Sequence, residues 1–230
     1  MDGTAMVALA VGAFVGSHLA LSHPLRAPLV LLLGNGGFTG LYAVVSLAAL
    51  WWISKTYKDA PVTAPLWEVG DGLWALGTAI MLIASVLLVG SLIGNPAMPG
   101  MVKTAPAEAR GVYAITRHPM LWSFALWGLV HILVYPVAAN LIVAGGMAAF
   151  ALIGAAALDA KKLALVPELW EPWKRVTSFV PFQAIAQRRA KLGGFRAHDL
   201  AGGVVVWLAA TWAHIPAGGV AAGVWRWIGA

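Results

Sequence analysis

Six histidines, at positions 18, 23, 118, 131, 198 and 214, are the side chains best able to do chemistry in this chain, which contains no cysteine. The missing cysteine excludes disulfides, thiolate zinc sites, iron–sulfur clusters and thiol nucleophiles, so any metal must be held by histidine, carboxylate or methionine. Two of the six lie deep in apolar sequence: His18 in LAVGAFVGSHLAL and His131 in LWGLVHILV. An imidazole there is costly, and either a functional role or one interhelical hydrogen bond must offset it. Two such histidines on different segments, without a carboxylate in either run, favour a shared metal or cofactor.

At helical spacing Phe124, Gly128 and His131 fall on one stripe, as do Phe14 and His18. A glycine one turn before a histidine, with aromatic neighbours, leaves a flat slot suited to a porphyrin with the imidazole as axial ligand. The same pattern equally reads as packing, with Gly128 admitting a neighbouring helix and Gly12 with Gly16 forming an ordinary GxxxG contact.

Arg117 and His118 open the stretch that ends in His131. Thirteen residues of straight helix rise about 20 Å, so His118 and His131 cannot share a metal on one helix. Arg117 and His118 instead read as an interfacial pair open to an anionic group, whether a cofactor propionate, a lipid phosphate or a substrate carboxylate, or as snorkelling charge. Pro119 suits the first position of the helix that follows. His214, in TWAHIPAG, is a third candidate, while His23 and His198 read as surface residues.

The elements that must position these residues are membrane spans. The chain of 230 residues is 60% hydrophobic and only 10% charged, with a mean hydropathy of +0.81, which leaves too little charge to cover a soluble bundle. Six apolar stretches, at 3–21, 38–53, 73–93, 121–134, 141–158 and 202–228, predict an all-α polytopic transmembrane bundle of about six spans, with five to seven compatible with the pattern. Residues ahead of the first stretch lack a basic region and a cleavage site, so that span is expected to stay. Prolines and glycines between 24 and 37 leave room for only a short interfacial turn or helix before the second. The polar segment 159–203 mixes Trp170, Trp173, Phe179 and Phe182 with basic residues and predicts amphipathic interfacial helices. No repeat or second domain interrupts residues 1–230, which read as a single domain.

With the N-terminus outside, the inner segments, including Arg26, Lys103 to Arg117 and Lys161 to Arg196, carry 12 of the 15 Lys and Arg residues. The basic loops are therefore expected in the cytoplasm, and the formal charge of +6 reflects topology and anionic lipid. No basic, aromatic-interleaved patch suggests nucleic acid.

The motifs SHLALSHPLRAPL, GNGGFTGLYAVVSL, ITRHPMLWSFALWGLVHIL, RVTSFVPF and AHIPAG, in this order, resemble the NnrU family. Those bacterial membrane proteins are linked to nitrite and nitric oxide reduction, and the family includes the 15-cis-zeta-carotene isomerases. The resemblance spans nearly the whole chain and implies an integral protein, of a bacterial inner membrane, carrying haem b. It implies His18 and His131 as the iron ligands and a hydrophobic polyene as a substrate of cis-trans isomerisation; Arg117 and His118, from their chemistry at the interface, are expected as further cofactor-binding residues. Where the isomerases carry a cysteine three residues before the second histidine, this chain has Gly128, so ligand exchange through that sulfur has no counterpart. Sharing one iron also requires similar depth, whereas the topology puts His18 toward the cytoplasmic end of its span and His131 toward the opposite end.

Two alternatives use the same residues differently. A non-enzymatic haem-binding accessory protein for nitrogen-oxide reduction needs the same histidines. A membrane methyltransferase would place S-adenosylmethionine among Arg117, His118, Glu168 and Glu171, because RHP followed by PELWEPWKRV resembles the cofactor region of isoprenylcysteine and phospholipid methyltransferases.

Overall fold

A computed structural model describes residues 2–98 and 104–229. Lys103, assigned above to an inner loop, lies outside the described residues. Among those described, the chain forms ten helices and no strand: α1 (Gly3–Ser22), α2 (Arg26–Asp59), α3 (Asp71–Gly90), α4 (Val112–Ile115), α5 (Pro119–Val134), α6 (Ala138–Leu165), α7 (Pro167–Val176), α8 (Gln183–Ala186), α9 (Ala197–Gly218) and α10 (Trp225–Ile228). Five of them, α1, α2, α3, α6 and α9, are long and apolar enough to cross a membrane, and α5 is a shorter apolar helix of 16 residues. The protein is an all-helical membrane bundle.

The neighbours run in the order α2, α1, α6, α5, α3, α9, so α2 and α9 stand at opposite edges. Small residues set these contacts, as expected where packing must replace a hydrophobic driving force. A Cβ on Gly128 would lie 2.5 Å from the Ala144 carbonyl oxygen, so that glycine lets α5 press against α6. Gly146 likewise admits Val11 of α1, and Gly203 admits Val86 of α3. Gly12 and Gly16 face open space, so the GxxxG contact expected there does not form.

Three boundaries differ from the sequence pattern. Helix α2 begins at Arg26 and passes through a kink at Gly34, whose φ of +69° is open to glycine without strain. The break-prone stretch is thus helical on both sides of one bent residue. The last span starts at Ala197 and stops at Gly218, where Gly219 caps it in the left-handed conformation. In the expected interfacial segment, Trp170 and Trp173 on α7 turn inward and are almost wholly buried beside Val112, Ala114 and Ile115.

Contacts between helix ends establish which ends lie together. Arg196 donates to the Gly90 carbonyl at 2.8 Å, joining the start of α9 to the end of α3. Arg117, just ahead of α5, bonds Asp159 near the end of α6. Gly90 and Gly111 both approach Asp199, which places these junctions at one basic end of the bundle. The start of α3, the end of α5, the start of α6 and the end of α9 gather at the opposite end.

Candidate functional site

His131 sits in the last turn of α5 and His214 in the last turns of α9, so both reach the end of the bundle opposite the basic loops. Their ring centroids are 6.0 Å apart and their planes differ by 32°. Each ring is held by its own helix: His131 Nδ1 donates to the Trp127 carbonyl at 2.8 Å, and His214 Nδ1 donates to the Ala210 carbonyl at 2.8 Å. A carbonyl can only accept, so Nδ1 carries the proton and Nε2 keeps its lone pair, the tautomer that binds metals. The Trp127 ring packs on His131 with centroids 4.2 Å apart.

The two imidazoles line a cavity of about 490 Å³ between α3, α5 and α9. Trp74, Met81, Trp127, Val130 and Trp207 make most of its wall apolar, and Thr78, Ser85 and Asn140 supply scattered polar groups. Trp207 Nε1 is buried without a hydrogen-bond partner in a wall of this cavity.

Two histidines alone do not make a metal site, and among the described residues no group of three or more His, Asp or Glu side chains could hold an ion. A planar macrocycle supplies four nitrogens of its own and asks only for axial ligands. Imidazole–metal bonds of about 2 Å on each side, plus roughly 1 Å from nitrogen to ring centre, put the centroids of two opposed ligands about 6 Å apart. The observed spacing of 6.0 Å meets that requirement.

His18 lies elsewhere. It packs among Phe14, Tyr42 and Phe150, in the cluster formed by α1, α2 and α6. Its Nδ1 donates to the Phe14 carbonyl at 2.7 Å, so its Nε2 lone pair accepts the Ser46 hydroxyl at 2.9 Å. Helix α6 measures its distance from His131. Asn140 bonds the His131 carbonyl, Phe150 touches His18, and the ten residues between them rise about 15 Å. The structure therefore does not bring together the pair expected to share an iron, because the depth difference foreseen from the topology is real. It joins His131 instead to His214.

Arg117 and His118 are also spoken for. Asp159 accepts from Arg117 Nε at 2.8 Å, from His118 Nε2 at 2.8 Å and from Trp170 Nε1 at 3.1 Å. The anion expected at this pair is thus a side chain of the protein, and Arg117 and His118 are 8% and 3% exposed. Around the same node Thr116 Oγ1 and Trp122 Nε1 donate to the Phe179 carbonyl, so the ITRHPMLW and RVTSFVPF segments dock on each other. Glu168 and Glu171 stand exposed on α7, and Glu171 reaches only Arg175, at 4.0 Å. Of the four residues of the methyl-transfer arrangement, Arg117 and His118 are buried on Asp159 while Glu168 and Glu171 face outward.

Sequence reasoning passed over Asp159, although a carboxylate closing the apolar run GGMAAFALIGAAALD was a visible signal for a buried partner. It also passed over Asn140 and Ser46, which carry no pattern of their own.

Fold and site define a polytopic helical membrane protein with two histidines lining one largely apolar cavity. The chain matches the family model described as NnrU protein over residues 6–222, nearly its whole length, and it belongs to the NnrU family. No curated protein and no solved structure gives a match.

Proposed function

We propose that this protein is a membrane haem b protein whose iron is held between His131 and His214. The paired imidazoles carry the reading: each is oriented by an Nδ1 hydrogen bond to its own helix, and their ring centres lie 6.0 Å apart on one cavity. His131 and His214 would hold haem b, which when bound would supply one-electron chemistry. The residues do the rest. Trp127 O and Ala210 O hold the imidazoles in the ligating tautomer, and Trp74, Trp127 and Trp207 supply apolar wall beside them.

Two histidine side chains available to one haem would suit electron transfer, as in an accessory protein of nitrogen-oxide reduction. Isomerisation of a polyene would need one histidine to leave, and Gly128, packed on Ala144, offers no replacement ligand. Under the positive-inside rule the basic loops lie in the cytoplasm of a bacterial inner membrane, and the cavity faces the other side.

The test is the absorption spectrum of detergent-purified protein, oxidised and reduced. A Soret band lost in both His131→Ala and His214→Ala and kept in His18→Ala supports the assignment. A colourless wild-type protein, or a band that survives both cavity variants, defeats it. Conversion of a poly-cis carotenoid by the loaded protein would restore the isomerase reading.

A further inference from the structure

Residues 219–228 fold back across the end of the cavity. Gly223 approaches Thr211 so closely that a Cβ there would lie 2.7 Å from the Thr211 methyl, and its φ of +59° favours glycine as well. Trp225 Nε1 pins the segment by donating to the Leu208 carbonyl and to Thr211 Oγ1, both at 3.1 Å. This brings Arg226 over the Trp74 ring, 4.8 Å from guanidinium carbon to centroid, and Trp74 is itself a cavity wall. A second hollow, lined by Asp71, Val220, Arg226 and Trp227, adjoins the cavity and shares Val220 with it.

Lys55, Lys58 and Arg226 are the three cations outside the inner basic segments. Lys55 is paired with Asp59 within its own helix and Lys58 is exposed next to Tyr57, a cavity-lining residue, whereas Arg226 lines the adjoining hollow and lies over the ring of Trp74, itself a cavity wall. Its partner there is Asp71, at 3.1 Å, whose side chain is 78% exposed. An exposed pair of this kind is weakly held and easily exchanged. A guanidinium fixed by an aromatic face, with a replaceable carboxylate on it, is prepared for a second carboxylate.

We infer that Arg226 is the anion-binding residue of this site, receiving a carboxylate of the bound tetrapyrrole in place of Asp71. The inference rests on the haem reading and adds a specificity for ligands with an apolar body and an acidic edge. The lid formed by residues 219–228 then serves to carry this cation, with Trp225 and Gly223 setting its position. Arg117, the cation expected from sequence to meet such a group, is occupied by Asp159 at the other end of the bundle.

Titrating the purified full chain with haem b and with its dimethyl ester, in which both carboxylates are masked, tests this. Wild-type protein is expected to bind the free acid about tenfold more tightly than the ester, the scale of one charge-assisted hydrogen bond. Arg226→Gln should abolish that preference while leaving ester affinity within about twofold, Arg226→Lys should keep part of it, and Asp71→Asn should enlarge it. Equal affinity of wild-type protein for both porphyrins, or equal loss of both in Arg226→Gln, overturns the assignment of Arg226. A band that needs both histidines but ignores Arg226 overturns this inference alone. Failure of wild-type protein to bind either porphyrin overturns it together with the haem reading.

Discussion

The side-chain amide of Asn140 donates to the carbonyl of His131 at 2.8 Å, and to that of Tyr135 at 2.6 Å. At the end of α5 the His131 carbonyl already accepts the Tyr135 N–H at 3.1 Å and the Tyr135 carbonyl accepts the Val137 N–H at 2.9 Å, so Asn140 adds a second donor to each. One residue of α6 thereby fixes the backbone that carries the His131 ring.

Asn140→Leu should therefore remove two side-chain hydrogen bonds while the backbone donors on both carbonyls remain, and destabilise the protein by about 1–2 kcal/mol. Thermal unfolding in detergent measures the loss. Because the same bonds set His131, the variant should also bind haem more weakly, whereas a purely local packing role would lower the Tm without moving the haem titration.

Asp159→Asn removes the charge that both Arg117 and His118 face. Breaking a buried pair by deleting one partner costs about 3–5 kcal/mol, and the Arg117 guanidinium cannot lose its proton to escape. Poor folding and a strongly lowered Tm are expected. If the node were an open anion site for a ligand, the apo protein would be indifferent to this change.

His18→Ala should forfeit the hydrogen bond to Ser46 and the packing on Phe14, for a loss of about 1–3 kcal/mol. The Soret band should remain unchanged in position. A shifted or missing band in a folded His18 variant would return this residue to the ligand set.

Gly128→Cys restores the residue type found at this place in the isomerases, yet its Cβ would collide with the Ala144 carbonyl at 2.5 Å. Destabilisation of about 1–3 kcal/mol is expected, with no thiolate signature in the spectrum. A stable variant with altered ligation would show that α5 and α6 separate more readily than their packing implies.

The membrane class, the number of spans, the helix start at Pro119 and the family were legible along the chain. Each depends on composition or on residues close in sequence: twenty apolar positions in a row, a proline at N1, a fixed order of short motifs. The role of Arg117 and His118 was half legible. Their need for an anion followed from their chemistry, but Asp159 lies some forty residues away and only folding puts it there.

By itself the sequence determined that His131 lies in an apolar run and that its imidazole must be offset by function or by a partner, because an imidazole among apolar side chains is costly whatever surrounds it. Which residue opposes it was decided by the tertiary structure alone. His18, His131 and His214 look alike in their local apolar runs. What separates them is the packing order α2, α1, α6, α5, α3, α9 and the direction of each helix, set by where small residues let neighbours approach. That order leaves His18 about 15 Å away in depth, bonded to Ser46, and turns His214 toward His131 across one cavity.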